Sequence, residues 1–252
     1  MSTPAPPRLQ LLSYNIHIAS KPEHAGHYLT RAWRHALPGS GMHDTLNHIA
    51  GAIRDHDFVA LQEADAGSLR TRFVNQLEYL AGRAGYAHVG YTITRDLKPF
   101  ARHALGFVSR HAPVRVEEHG LPGRIPGRRA MVVELGPETG GLTLLIAHLS
   151  LGRVDRERQL DYLGALVGVA TPTVLIGDLN CEAEGLRAHG GLERRGLWIP
   201  HVTPPTFPSW RPRWALDHIL ATKDVAVHRV ASLPHRHSDH LPLVAEVSVA
   251  VR

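Results

Sequence analysis

A single cysteine, Cys181, among 252 residues excludes an intramolecular disulfide framework and a zinc site built on several thiolates. No apolar run approaches the roughly 20 residues needed to cross a bilayer. The opening MSTPAPPRLQLLSYN has no basic region followed by an apolar stretch, so no secretory leader is expected and a cytoplasmic location is. Lysine is scarce: only Lys21, Lys98 and Lys223 occur, and arginine supplies nearly all the positive charge. The His-Glu-x-x-His pair of zinc hydrolases is absent. No fixed-period repeat or low-complexity linker divides the chain, so one domain over 1–252 is expected, with residues 1–7 a flexible leader.

What is present is an ordinary globular balance, 43% apolar and 20% charged, sufficient for a sizeable core. The net charge of +5 favours polyanionic partners, although an arginine bias fits genome composition as readily as bidentate phosphate contacts. A monomer with no obligate protein partner is expected.

Hydrophobic periodicity alternates between helix and strand. Leu9 to Tyr14 reads as a strand, and Ala19 to Gly41 as a loop able to cover one side of a pocket. Leu46, Ile49 and Ile53 give a helix over Met42 to Ile53, and Asp57 to Gln62 a buried strand. Phe73, Leu77 and Leu80 predict a helix over Ser68 to Ala81. Strands follow at Tyr86 to Tyr91, Ala104 to Val108, Arg129 to Leu135 and Leu142 to His148. A helix over Asp155 to Leu166 precedes strands at Thr173 to Ile176, Ala215 to Leu220, Val225 to Ala231 and Leu243 to Val249.

Six of these apolar runs stop at residues able to bind a cation or move a proton: YNIH at 14–17, LQE at 61–63, AHLS at 147–150, GDLN at 177–180, ALDH at 215–218 and SDH at 238–240. Each alone is an ordinary turn signal. Gathered on one sheet edge they would crowd Glu63, Asp178, Asp217 and Asp239 with Asn15, Asn180, His148 and His240. Such carboxylates repel unless a cation or protons balance them, and oxygen donors favour Mg²⁺, with Mn²⁺ as a substitute. Zinc is the competing ion, given the 19 histidines.

From Tyr14-Asn15-Ile16 through Gln62-Glu63, His148, Gly177-Asp178-Leu179-Asn180 and Ala215-Leu216-Asp217-His218-Ile219 to Ser238-Asp239-His240-Leu241-Pro242-Leu243, the sequence resembles the endonuclease/exonuclease/phosphatase superfamily. That resemblance implies an α/β fold, a four-layer α/β/β/α sandwich with two central mixed β-sheets of the DNase I-like kind, and a metal-dependent phosphoesterase. By motif, Glu63 and Asp239 are implied metal ligands, with Asn15 a ligand or a residue orienting one. His240 would activate water or stabilise the phosphorane, held by Asp217 as a base is held by its orienter. Asp178 would orient or deprotonate the water, while Asn180 and His148 would donate to phosphoryl oxygens.

His17 stands where some abasic-site endonucleases carry an acidic metal contact, which makes it a phosphate contact, part of a modified metal site, or a polar rim residue. Strand alternation sends His218 away from Asp217 and outside the site. Of the arginines before the Ala130 strand, Arg128 or Arg129, the second is the preferred phosphate contact. The clusters at Arg153, Arg156 and Arg158 and at Arg211 and Arg213 rank below it. Tyr14 replaces the Trp of abasic-site endonucleases, and the Cys-Asp-Arg signature of inositol-polyphosphate 5-phosphatases is missing. A phosphodiesterase acting on nucleic acid or a phospholipid head group is the preferred reading. A phosphomonoesterase acting on a small phosphorylated molecule or an inositol phosphate, and an inactive polyanion- or protein-binding scaffold, are the alternatives.

Overall fold

The structure is a computed structural model that describes residues 6–19, 41–124, 126–168 and 171–249. Most of the expected leader and the expected pocket-covering loop, residues 20–40, lie outside the described residues.

The chain begins with β1 (Arg8–Asn15), α1 (Met42–Ile53), β2 (Phe58–Asp65) and α2 (Gln76–Ala84). Strands β3 (His88–Leu97), β4 (Ala101–Ser109), β5 (Pro113–Gly120), β6 (Arg129–Leu135) and β7 (Thr143–His148) follow. Then come α3 (Arg153–Leu166), β8 (Thr173–Asp178), two short helices α4 (Ala183–His189) and α5 (Gly191–Arg194), β9 (Asp217–Ala221), β10 (Val225–Ser232) and β11 (Leu243–Val249).

Two sheets result, ordered β10-β11-β1-β2-β4-β3 and β5-β6-β7-β8-β9. Each is mixed, with one parallel pair: β1 beside β2 in the first, β7 beside β8 in the second. Alternating side chains sort into three apolar layers. Leu9, Leu11, Phe58, Phe107, Leu144, Ile146, Val174, Ile176 and Ile219 fill the space between the sheets, where Phe58 and Phe107 stack at 5.2 Å. Leu12, Tyr14, Val59 and Leu61 turn outward to Leu46, Ile49 and Ile53 of α1 and to Leu77 and Leu80 of α2. Leu145 and Leu175 turn outward to Leu160 and Leu163 of α3. This is the expected four-layer α/β/β/α sandwich.

The second helix differs from its expected span. Ser68 starts one 3-10 turn at Leu69–Thr71, after which Arg72 and Phe73 take left-handed φ values of 52° and 62° and break the pattern. The side chain of Asn75 then accepts from the Leu77 N–H and caps α2, which runs to Ala84 and closes on Gly85. Phe73 is therefore exposed instead of forming part of a buried stripe. Strand β5 escaped the sequence reading because it is an edge strand with most of its side chains in water.

One glycine sets how closely the two central strands of the second sheet run. Gly177, opposite Ala147 in β8, has φ 150°, and a Cβ there would sit 1.9 Å from the Ala147 carbonyl oxygen. Gly177→Ala is expected to cost on the order of 1–3 kcal/mol from the backbone conformation alone. Urea denaturation should show a lowered midpoint at unchanged slope; a parental midpoint would mean that the strands separate without cost.

Candidate active site

Strand alternation carries the site residues into one place. Leu9, Leu11, Ser13 and Asn15 share the face of β1 between the sheets, so Asn15 is the last of that file. By the same count His148 follows Leu144 and Ile146, and Asp178 follows Val174 and Ile176. Asp217 opens β9 on the face of Ile219 and Ala221. His148 and Asp178 are register partners, as are Asp178 and Asp217, which puts three functional side chains in a row across adjacent strand ends.

Glu63 breaks the alternation. Its neighbours Val59 and Leu61 face the helices, and an unbroken strand would send Glu63 after them. The pairing of β2 with β4 instead shifts register between Leu61 and Ala64, and Glu63 takes φ 54°. This bulge re-aims the carboxylate. Asn15 Nδ2 donates to Glu63 Oε1 at 3.3 Å and to Asp178 Oδ2 at 3.0 Å. The strand beyond is pinned by Asp65, a buried carboxylate that accepts from Ser68 Oγ, Arg70 Nε and Thr71 Oγ1 at 2.9, 2.6 and 3.1 Å.

The Ser238-Asp239-His240 turn completes the cluster from the far end of the chain. Ser238 Oγ donates to the Asn15 carbonyl at 2.7 Å, and Ser209 Oγ donates to the Ser238 carbonyl at 2.6 Å. The Ser209 N–H is bonded to the Asp239 carbonyl at 2.7 Å. His240 Nδ1 lies 2.8 Å from Asp217 Oδ2, which also accepts from Thr206 Oγ1 at 2.5 Å, and the ring of Phe207 packs 4.8 Å from the imidazole. Thr206 and Ser209 were not singled out in the sequence; their hydroxyls, spaced by prolines, were the available signal.

Burial and charge push the titrating groups apart. Burial opposes the charged form of His240, yet the charges of Asp217 and Asp178 and the Asp217 hydrogen bond together raise it to about 10. Asp178 is pushed up to about 7 by burial and by the charge of Asp217, against the pull of His240. His148 falls to about 3, through burial and the charge of Arg128, and is neutral at pH 7. Glu63 is half-buried, and against the effect of that burial the His17 hydrogen bond, the charges of His148 and His17 and the Asn15 hydrogen bond hold it well below the usual carboxylate range.

Other expected residues occupy distinct places. His148 Nε2 is 3.5 Å from Asp178 Oδ2 and 3.7 Å from Glu63 Oε1. Asn180, at φ 49°, donates its backbone N–H to Asp178 Oδ1 at 3.0 Å and one side-chain N–H to the Leu149 carbonyl at 2.9 Å. His17 Nδ1 is 3.2 Å from Glu63 Oε2 and 3.7 Å from Asp239 Oδ2. His218 turns away, as alternation required, with Nε2 2.7 Å from the Cys181 carbonyl.

The two arginines before the Ala130 strand part company. Arg129 pairs with Glu118 at 3.2 Å on the surface, while Arg128, one residue earlier and so on the opposite face, contacts the His148 carbonyl at 3.5 Å. The charges of Glu63 and Asp178 both act on Arg128. In the lower-ranked cluster, Arg156 donates to the Leu151 carbonyl at 2.7 Å and Arg153 pairs with Glu157.

The donor chemistry suits a hard divalent cation. Among the described residues, Asp178, Asp217 and His240 have ligand atoms within 4.8 Å of one another, but the Asp217–His240 contact is a proton-bearing pair and a poor cage. Glu63 and Asp239 add carboxylate oxygens of the kind such a cation takes. No helix among the described residues is long and apolar enough to cross a membrane.

No curated protein matches the chain. Among solved structures, the fold is similar to an endonuclease/exonuclease/phosphatase from Beutenbergia cavernae, at 23% identity and TM-score 0.76, over 96% of this chain and 72% of that one. It is also similar to the mannosyl-6-phosphatase of Bacteroides thetaiotaomicron, at 16% identity and TM-score 0.67, over 95% and 99% of the two chains. The human Nocturnin catalytic domain, solved with a bound sulfate anion, aligns at 18% identity and TM-score 0.69, over 98% and 96%. The Endonuclease/Exonuclease/phosphatase family model matches residues 12–240, nearly the whole described fold, and the chain belongs to that family.

Proposed function

We propose that this chain is a divalent-cation-dependent phosphoester hydrolase acting as one domain, in which water attacks phosphorus in line with the departing oxygen. The substrate is a phosphodiester, of nucleic acid or of a phospholipid head group. The observation that carries this reading is the convergence of Asn15, Glu63, His148, Asp178, Asp217 and His240 through contacts of 2.8 to 3.7 Å.

A cation of the Mg²⁺ or Mn²⁺ class, held by Glu63 and Asp239, would neutralise charge on a non-bridging or departing oxygen. Asn15 acts here as the residue that orients Glu63, since its Nδ2 is committed to carboxylates and its Oδ1 accepts the His17 N–H at 3.1 Å. Asp178, with its carboxyl near neutrality, is matched to taking the proton of the attacking water. His240 is cationic at pH 7, so it serves as a donor to the phosphoryl oxygen while Asp217 fixes its orientation. His148, Arg128 and the remaining Asn180 N–H add donors where negative charge develops.

Charge favours a diester. Glu63, Asp178, Asp217 and Asp239 crowd the site, faced among the described residues by the cationic His240 and the half-buried Arg128. A diester brings one negative charge into that field, a monoester two. The similarity of fold to a mannosyl-6-phosphatase keeps the monoester reading as the second.

Glu63→Gln is expected to weaken Mn²⁺ and Mg²⁺ binding and turnover together; an unchanged calorimetric titration would remove Glu63 from the metal site. His240→Ala and Asp217→Asn should each lower kcat by about 10²–10⁴-fold with the fold retained by circular dichroism, and near-parental rates in either would break the coupled pair. A screen of bis(p-nitrophenyl) phosphate, DNA, RNA, phospholipids and inositol phosphates, with His240→Ala as the contamination control, tests the substrate class. Turnover confined to monoesters would overturn the diester preference, and no turnover alongside stoichiometric binding of a polyanion would favour a scaffold.

A further inference from the structure

We infer that the turn after β2 and the hairpin between β3 and β4 form a docking surface for an anionic phospholipid bilayer, and that the diester hydrolysed beside it is a phospholipid. The inference rests on the reading of the site as a phosphodiesterase and narrows its substrate to one of the two classes named there.

Four large apolar side chains stand in water on two neighbouring tips. Leu69 and Phe73, on the turn after β2, are 39% and 66% exposed, and Leu97 and Phe100, at the end of the hairpin, 44% and 60%. The backbone ties the tips together: the Leu69 N–H donates to the Pro99 carbonyl at 2.8 Å and the Arg70 N–H to the Phe100 carbonyl at 3.4 Å. Single exposed apolar residues need no explanation, but four on two bonded tips form one patch.

The turn inverts the usual sorting of side chains. It buries Arg70, 6% exposed, and puts Phe73 in water. The buried carboxylate of Asp65 draws Ser68, Arg70 and Thr71 inward, while Arg72 and Phe73 take left-handed φ values of 52° and 62°. Such conformations persist only where the surroundings fix them. Here the Phe73 N–H is held by the Ser68 carbonyl at 2.7 Å. The apolar side chain is thus presented outward by the same polar cluster that pins β2 beyond Glu63.

Charge selects the occupant. Arg72, Arg95 and Lys98 are exposed on the same tips, and the exposed carboxylate there, Asp96, is engaged by Lys98 at 3.3 Å and Arg102 at 3.8 Å. Apolar side chains ringed by cations match a bilayer with anionic head groups, the first entering the acyl boundary while the second stay with the phosphates. A second copy of this chain would bring the same cations against these. Nucleic acid would suit the cations, but Leu69 and Leu97 offer no ring on which a base can stack. The strand that delivers Glu63 runs directly into this turn, so a docked bilayer lies beside the mouth of the site.

The test uses the full chain and phosphatidylcholine vesicles with or without phosphatidylglycerol, sedimented in EDTA so that binding is read apart from turnover. The parent should bind the mixed vesicles at least about ten-fold more tightly than the neutral ones. Phe73→Asn with Phe100→Ser should lower that binding about ten-fold or more, with circular dichroism and turnover of bis(p-nitrophenyl) phosphate unchanged. Arg72→Glu with Lys98→Glu should remove the preference for phosphatidylglycerol. With Mn²⁺ added, the parent should release head groups from the mixed vesicles and the apolar double variant should do so about ten-fold more slowly. Equal binding by parent and apolar variant, or no binding to either vesicle, would overturn the docking surface. Loss of single-stranded oligonucleotide binding, or of self-association in sedimentation velocity, in that variant would assign the patch to nucleic acid or to a second copy instead. Binding without head-group release would overturn the phospholipid as substrate. A parent inactive on every diester, yet bound to the vesicles as expected, would mean that the phosphodiesterase reading has failed and the docking surface has not.

Discussion

The amide of Asn15 joins the two sheets where their charges are most crowded. Its two N–H groups go to carboxylates from opposite sheets, Glu63 and Asp178, and its Oδ1 takes the His17 N–H. Its backbone carbonyl receives the Ser238 hydroxyl, so the C-terminal turn bearing Asp239 and His240 hangs on the same residue. Hydrogen bonds to charged groups contribute about 1.5–3 kcal/mol each, and a buried carboxylate stripped of its donor is costlier still. An aliphatic residue here would take one donor from each of two carboxylates, and an aspartate would add a third negative charge.

The same crowding separates the roles of chemically similar groups. Glu63 and Asp178 are carboxylates sharing the Asn15 amide, the first half-buried and the second fully buried, yet one is held well below the usual range and the other near 7. The difference lies in their other neighbours: His17 donates to Glu63, whereas Asp217 places a like charge beside Asp178. Divergent environments for paired titrating groups are how one site holds a permanent anion and a proton acceptor together. His240 and His148 diverge likewise. Asp217 makes the first a cation, and burial near Arg128 leaves the second neutral.

Most of the strands were legible in the sequence as apolar runs between turn signals, whereas the four layers came from the family resemblance; in the structure, period-two alternation accounts for them. That rule also carried Asn15, His148, Asp178 and Asp217 to one end of the inter-sheet space and sent His218 the other way. It failed at Glu63, where the strand bulges, and a bulge leaves no mark in an apolar run. It failed at the second helix, where Arg72 and Phe73 adopt conformations that no apolar period encodes. The choice between Arg128 and Arg129 turned on a single residue of register at the start of β6, which composition cannot supply. Thr206 and Ser209 were invisible for a further reason: their hydrogen bonds reach partners 11 and 29 residues away across a turn with no repeating pattern.

This division also explains why the reaction is easier to read than the substrate. On the proposed reading, the groups that would face phosphorus sit on strand ends, and their positions follow from the sheets. Groups that would touch the rest of a substrate sit on the connections after β5, β7 and β8, where periodicity gives no guide. Much of their polar capacity is already committed: Thr206 to Asp217, Ser209 to Ser238, Arg156 to the Leu151 carbonyl, Arg124 to Asp155. Leu151 and Trp214 project into solvent beside them. On that reading selectivity would come from the shape and apolar character of this rim together with Arg128, on which the charges of Glu63 and Asp178 both act. Such a rim distinguishes substrates by what flanks the phosphate, while leaving the phosphate itself to the strand ends.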